Sequence, residues 1–158
     1  MSALDSLSRD SAEDLLLPRD TTRSVPLMLI RARVAVMSRF QPLLAQCGLS
    51  EQQWRVIRTL AEADNLDARE VAERACVLGP SLSRIIKTLQ ARRLVLRRTD
   101  PEDRRRVMLS LTPAGVDLIA QLTHQGSASY ADFVREFGAD RIDKLLDMLN
   151  DLVELRQK

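Results

Sequence analysis

The stretch Arg98–Gly115 reads RTDPEDRRRVMLSLTPAG. Asp100-Pro101-Glu102-Asp103 has the chemistry of a turn, because proline presets φ and short carboxylates fold back onto their own backbone. Arg104, Arg105 and Arg106 follow at once. Val107, Leu109 and Leu111 then alternate with Met108 and Ser110, the period-2 spacing of a half-buried strand. Thr112-Pro113 reads as a helix start with proline at its first helical position. With residues 94–98 as the outgoing strand and 106–111 as the return, the stretch is a β-hairpin with a strongly basic tip. A charged turn is ordinarily just solvated, and three arginines at one tip exceed that need.

The charge around the hairpin is focused. Over the 158 residues, 24 Lys and Arg nearly balance 22 Asp and Glu. Between Arg84 and Arg106, however, nine basic residues face only Asp100, Glu102 and Asp103, a local excess of +6. Such focusing suits a polyanionic partner. The length fits one structural domain with a real core. The apolar residues are mostly Leu, Val, Ile and Ala, and aromatics are 3%, which favours helices. No apolar run approaches the roughly 18 residues of a membrane span, and Leu15–Leu17 is too interrupted by charge to be a secretory segment. Cys47 and Cys76 make neither a disulfide framework nor a metal cluster. The sequence reads as that of a cytoplasmic protein with no metal and no cofactor.

Upstream of the hairpin, residues 1–23 are weakly patterned and read as a flexible arm, with a short helical piece at Leu15–Leu17. Ser24 caps a long helix over 24–48 with Pro26 in its first turn. Leu27, Ile30 and Val34 form an apolar stripe on it, and Pro42 kinks or breaks it before Gly48. Ser50 with Gln53 forms a capping box, and Leu49 with Trp54 a hydrophobic staple. Asp67 with Glu70 and Leu66 with Val71 repeat the device on a short helix ending near Cys76. A turn through Val77–Gly79 leads into a helix from Pro80 to about Arg92. It buries Leu82, Ile85, Ile86 and Leu89 and presents Ser81, Ser83, Arg84, Lys87 and Thr88. After the hairpin, residues 113–158 are helical, and Ile142, Leu145, Leu149 and Leu152 form a terminal apolar stripe after Asp140. The stripes at both ends need a partner, and a second copy of the chain supplies one.

Two short helices joined by a tight turn, the second polar and basic on its free face, form a helix-turn-helix. With the basic hairpin after it, residues 49–112 read as a winged helix-turn-helix in a mainly α (α+β) chain of about six helices and a two- to three-stranded wing. Ser81, Ser83 and Arg84 stand where a recognition helix meets base edges, arginine donating bidentately to guanine. The hairpin-base residues Arg98 and Arg106 suit phosphates, and Lys87 and Arg104 join them as DNA-binding candidates. A basic hairpin tip fits a narrow minor groove, and Asp103 pairs with a neighbouring arginine to fix the turn.

The segments LSEQQWRVIRTLAE, SLSRIIKTLQARRLVLR and above all TDPEDRRRVMLSLTPAG resemble the MarR-type transcriptional regulators over roughly residues 25 to 155. RARVAVMSRFQPLL and GLSEQQWRV look most like the subgroup regulating homoprotocatechuate (4-hydroxyphenylacetate) degradation. The resemblance implies a homodimer with interleaved terminal helices, a pseudo-palindromic operator, and repression relieved by a small aromatic effector such as 4-hydroxyphenylacetate or 3,4-dihydroxyphenylacetate. It places the groove-entering arginine at Arg105, and it puts Arg31, Ser38, Arg39, Trp54 and Arg55 on the helices that wall an effector pocket. One departure is Arg93, where the family favours glycine. A non-glycine left-handed cap costs about 1–2 kcal/mol, so a different helix end is expected.

Two other classes fit the same residues: an oxidant sensor using Cys47 or Cys76, and a winged protein-interaction module. Neither cysteine stands beside an activating base in sequence, and His124, the only histidine, makes no metal site or triad. No phosphate loop or nucleophile–base pair appears, so no catalytic residue is assigned and the chain reads as a non-enzyme.

Overall fold

The computed structural model describes residues 21–63 and 65–155. Where the sequence reads as one structural domain, the described residues fall into two compact units divided between Gln41 and Pro42. The helical piece expected at Leu15–Leu17 lies outside the described residues.

In the first unit a 3-10 turn, Thr21–Arg23, leads into helix α1, Val25–Met37. Ser24 occupies the N-cap position, yet its side chain makes no capping hydrogen bond. Leu27, Ile30 and Val34 are all exposed, as an unpartnered stripe requires. The single helix expected over 24–48 is instead two. α1 stops at Met37, and α2, Gln41–Gln46, begins anew with Pro42 in its first turn. Proline removes an N–H and its ring clashes with the carbonyl four residues back, here that of Ser38, so the break falls before the proline and not at it.

The second unit holds the winged helix-turn-helix. Helix α3, Glu51–Glu62, starts on the capping box read from Ser50 and Gln53 and buries Val56, Ile57 and Leu60. Strand β1 is only Leu66–Asp67, and α4, Ala68–Arg74, starts at once on the Asp67/Glu70 box. Helix α5, Gly79–Ala91, buries Leu82, Ile85, Ile86 and Leu89. Strands β2, Val95–Thr99, and β3, Val107–Leu111, form the hairpin, and β1 joins it antiparallel in the order β1-β3-β2. Leu66, Leu109 and Arg97 thus share one row across the sheet, and Asp67, Met108 and Arg98 the next. Neighbouring residues of a strand point to opposite faces. Leu66 and Leu109 are buried, so the first row faces the helices.

Three helices of this unit end the same way. Gly48, Cys76 and Arg93 all have positive φ, at 63°, 50° and 58°. The N–H groups of Leu49, Val77 and Leu94 reach back to the carbonyls of Leu44, Ala72 and Leu89. This is the six-to-one bond of the Schellman cap. The different ending expected from Arg93 is therefore not found. The arginine takes the left-handed conformation that glycine would take, and Thr112 Oγ1 holds its carbonyl at 2.6 Å.

Thr112 also caps α6, Pro113–Phe137, by accepting from the Gly115 N–H at 3.0 Å. A Cβ on Gly115 would lie 2.3 Å from the Leu94 carbonyl oxygen, so strand end and helix start meet backbone to backbone. Helix α7, Ala139–Glu154, follows from Gly138, which has a φ of 96° and takes the N-cap position, leaving Asp140 in the first turn. Leu145 and Leu152 are exposed, whereas Ile142, expected on the same free stripe, is buried at 8% exposure. The described residues form seven α-helices and one three-stranded sheet. None of these helices is long and apolar enough to cross a membrane.

Two substitutions test the helix-end readings. Gly115→Ala is expected to cost about 1–3 kcal/mol, the usual range for overpacking, measured by urea unfolding. Arg93→Gly relieves about 1–2 kcal/mol of left-handed strain against about 0.5–1 kcal/mol of added chain entropy. A net gain of about 0.5–1 kcal/mol in the same assay is expected.

Candidate nucleic-acid interface

The free face of α5 follows from its buried one. Apolar residues at 82, 85, 86 and 89 turn the helix so that Ser83, Arg84, Lys87 and Thr88 are exposed and Ser81 is half-buried. The Ser83 hydroxyl donates to the Gly79 carbonyl at 3.3 Å, and that of Thr88 to the Arg84 carbonyl at 3.2 Å. Both hydroxyl oxygens keep lone pairs to accept from a partner.

The wing tip is built by its own carboxylates. Asp100 Oδ1 accepts from the N–H of Glu102 at 2.9 Å. Asp103 Oδ1 accepts from the N–H of Arg105 at 3.0 Å and from its Nε at 3.3 Å. Asp103 therefore holds both the turn and a neighbouring arginine. The Arg105 side chain is 93% exposed and that of Asp103 38%, and an exposed pair of this kind contributes about 0–1 kcal/mol. Arg105 can leave it for a DNA groove at little cost.

Arg106, expected at a phosphate, carries internal bonds. Its Nε donates to Asp67 Oδ2 at 3.1 Å, and its Nη1 lies 3.7 Å from Asp100 Oδ2. Its backbone closes the hairpin as well, through bonds with Asp100 and Asp103. Arg106 thus ties the wing to the first residues of α4. The Arg69 N–H, and after it the Arg106 guanidinium, hold the Asp67 carboxyl below the ordinary aspartate range. Asp67 in turn raises the Arg106 guanidinium further above its own.

The other charges of the basic segment divide sharply. Arg92 is a structural residue, donating from Nη1 and Nη2 to the carbonyls of Gly48 and Cys47, each at 2.8 Å. It thereby closes the end of α2. By contrast, Arg84, Lys87, Arg93, Arg97, Arg98 and Arg104 have no ion pair or side-chain hydrogen bond among the described residues. Six unneutralised cations on α5, the junction after it and the wing make a surface for a polyanion.

Of the residues expected to hold an effector, Arg31, Ser38 and Arg39 belong to the first unit and Trp54 and Arg55 to the second. Arg31 donates to Thr21 Oγ1 at 3.4 Å, and Ser38 to the Ala35 carbonyl at 2.9 Å. Trp54 is half-buried and Leu49 is buried. Arg55 is engaged structurally: Nη1 donates to the Cys76 carbonyl at 3.1 Å, closing α4 as Arg92 closes α2. Cys76 is exposed and Cys47 half-buried.

Residues 48–106 match the MarR family. Over 132 residues the chain is 36% identical to the homoprotocatechuate degradative operon repressor of Escherichia coli, covering 84% of this chain and 89% of that one. The chain belongs to the MarR family. Two solved structures have the same fold. NadR in complex with 4-hydroxyphenylacetate superposes with a TM-score of 0.78 at 36% identity, covering 85% of this chain and 98% of that one. The repressor CouR, bound to a 23-mer DNA duplex, superposes at 0.75 with 25% identity, covering 92% and 99%.

Sequence reasoning passed over Asp67 and Arg92 as site residues. Asp67 was legible only as a helix cap, because its partner lies 39 positions away and is brought near by strand pairing alone. Its depressed pKa makes it testable. A carboxyl lowered on folding adds stability that is full above its unfolded value of about 3.9 and is lost as pH falls through its folded value. Asp67→Asn keeps a capping side chain but removes the charge. Urea midpoints should therefore fall more steeply below about pH 4 in the parent protein than in Asp67→Asn.

Proposed function

We propose that the chain is a homodimeric, sequence-specific repressor of an aromatic-catabolism operon, released from a pseudo-palindromic operator by a small aromatic acid or phenol. The carrying observation is the row of unpaired cations running from α5 onto the wing of a MarR-family fold. Ser81, Ser83 and Arg84 read base edges, Arg105 enters the minor groove, and Lys87, Arg98 and Arg104 take phosphates. Arg106 acts through Asp67, holding the wing at the spacing these contacts need. The operon type is drawn from the Escherichia coli relative, and the effector class from the 4-hydroxyphenylacetate held by NadR. Arg31, Ser38, Arg39, Trp54 and Arg55 are the candidates to line the effector pocket, an arginine holding the carboxylate.

The dimer rests on apolar faces that the chain leaves open. Ile30 and Val34 are 57% and 58% exposed, and Leu146 and Leu152 are 51% and 47%. Leu27, Leu145 and the half-buried Leu149 extend these faces. A two-fold dimer buries them and sets two α5 helices about 34 Å apart, one per half-site. An effector that favours a dimer with another spacing lowers operator affinity, and operator DNA weakens effector binding by the same factor.

Two measurements test this reading. Titration calorimetry with 4-hydroxyphenylacetate and 3,4-dihydroxyphenylacetate should give heat with at least one, and that compound should release the protein from operator duplex in a gel shift. Silence with both would sink the effector class. Arg84→Ala should cost about 1–3 kcal/mol of operator affinity and relax preference at one base pair. Arg105→Ala should weaken binding and make it less steeply dependent on salt.

A further inference from the structure

A groove of about 400 Å3 runs between α5 and the sheet. Its lining is mixed: buried Leu82, Ile86 and Leu109 with Val107 supply the apolar part, and Ser83, Gln90 and the exposed Lys87 and Arg97 the polar part. Arg97 is an unusual residue for its place. It pairs with Leu109 in the row that begins at Leu66, so it sits on the face of the sheet that packs against helices. Arg98, the next residue, pairs with Met108 and lies on the opposite face.

The groove puts two cations beside these apolar side chains with no carboxylate in its lining, and neither cation has an ion pair among the described residues. An inward charge on an edge strand such as β2 can serve to block edge-to-edge pairing. That accounts for Arg97 alone, and not for Lys87 meeting it from the facing helix. Two like charges with no internal counter-ion favour an external anion, and the apolar lining favours an apolar group attached to it. The groove also joins the base-reading face of α5 to the wing.

We propose that this groove seats one sugar-phosphate unit of the DNA backbone, with the phosphate held between Lys87 and Arg97 and the deoxyribose on the apolar lining. The inference rests on the DNA-binding reading and assigns Arg97, and not Arg98, as the strand's contact beside the recognition helix. Because backbone contacts carry no base information, loss of either cation weakens all duplexes alike.

The test uses the full chain and a duplex that the chain itself selects from a randomised library. Single phosphates are replaced in turn by neutral methylphosphonates, and affinity is read by fluorescence anisotropy. In the parent protein several positions should weaken binding. At one position per half-site the penalty should vanish in Lys87→Ala and in Arg97→Ala alike. Each variant should also lower the slope of log affinity against log salt by about one and leave base preference unchanged. Arg97→Gln, which keeps much of the aliphatic stem, replaces Arg97→Ala if that variant does not fold. A parent-like scan in the Arg97 variant, or two variants that silence different phosphates, overturns the assignment while DNA binding stands. A parent-like scan together with aggregation of the Arg97 variant would make that residue an edge guard instead. A parent protein that enriches no duplex overturns the DNA-binding reading itself, and this assignment with it.

Discussion

The carboxylate of Asp67 is where the winged unit is tied together. One residue ends β1, caps α4 by accepting from the Arg69 N–H at 2.6 Å, and holds Arg106 at 3.1 Å. β1 is two residues long, and so short a strand adds little by its backbone bonds alone. The charge-assisted bond to Arg106 adds what the ladder lacks. Without such a tie the wing would be a hairpin hinged at its base. With it, the base of the wing is joined to the start of α4 by a side-chain bond as well as by β1.

The basic segment, uniform on the page, is two populations in space. Arg92 and Arg106 bond to carbonyl oxygens or carboxylates inside the unit. Their charge is used in holding helix ends and the wing in place. Arg84, Lys87, Arg97, Arg98 and Arg104 are held by nothing internal among the described residues. Their mutual repulsion costs folding stability and favours any polyanion that neutralises it. A count of arginines cannot make this division, because it depends on which carbonyls and carboxylates the fold delivers to each side chain.

Helix ends show a similar split between what is local and what is not. Both capping boxes were legible because a box is a relation between residues three apart. The Arg93 ending was not. Local propensity opposes a left-handed arginine, and the opposition was overridden by three bonds that converge on the junction. The Leu94 N–H reaches the Leu89 carbonyl, the Thr112 hydroxyl donates to the Arg93 carbonyl, and the Thr112 N–H reaches the Leu94 carbonyl. Thr112 is 19 positions from Arg93, so its contribution appears only once the hairpin has returned the chain.

By itself, the sequence determined the helix-turn-helix and the hairpin that follows it, the buried face of α5, the turn at the wing and the family. Each rests on spacings of two to four residues, over which backbone geometry dictates what neighbours do. The tertiary structure decided that Arg106 bonds to Asp67 and Asp100, that Arg97 and not Arg98 lies on the sheet face that packs against the helices, and that Ile142 is buried within the chain. It also decided that the helix expected over 24–48 is broken before Pro42. The first two turn on pairings between residues distant in sequence, and the helix break shows that even a local signal fixes the presence of a break before it fixes the place. Strand register explains why the pairings were hidden: a shift of one residue would exchange Arg97 with Arg98, and only the assembled sheet sets it.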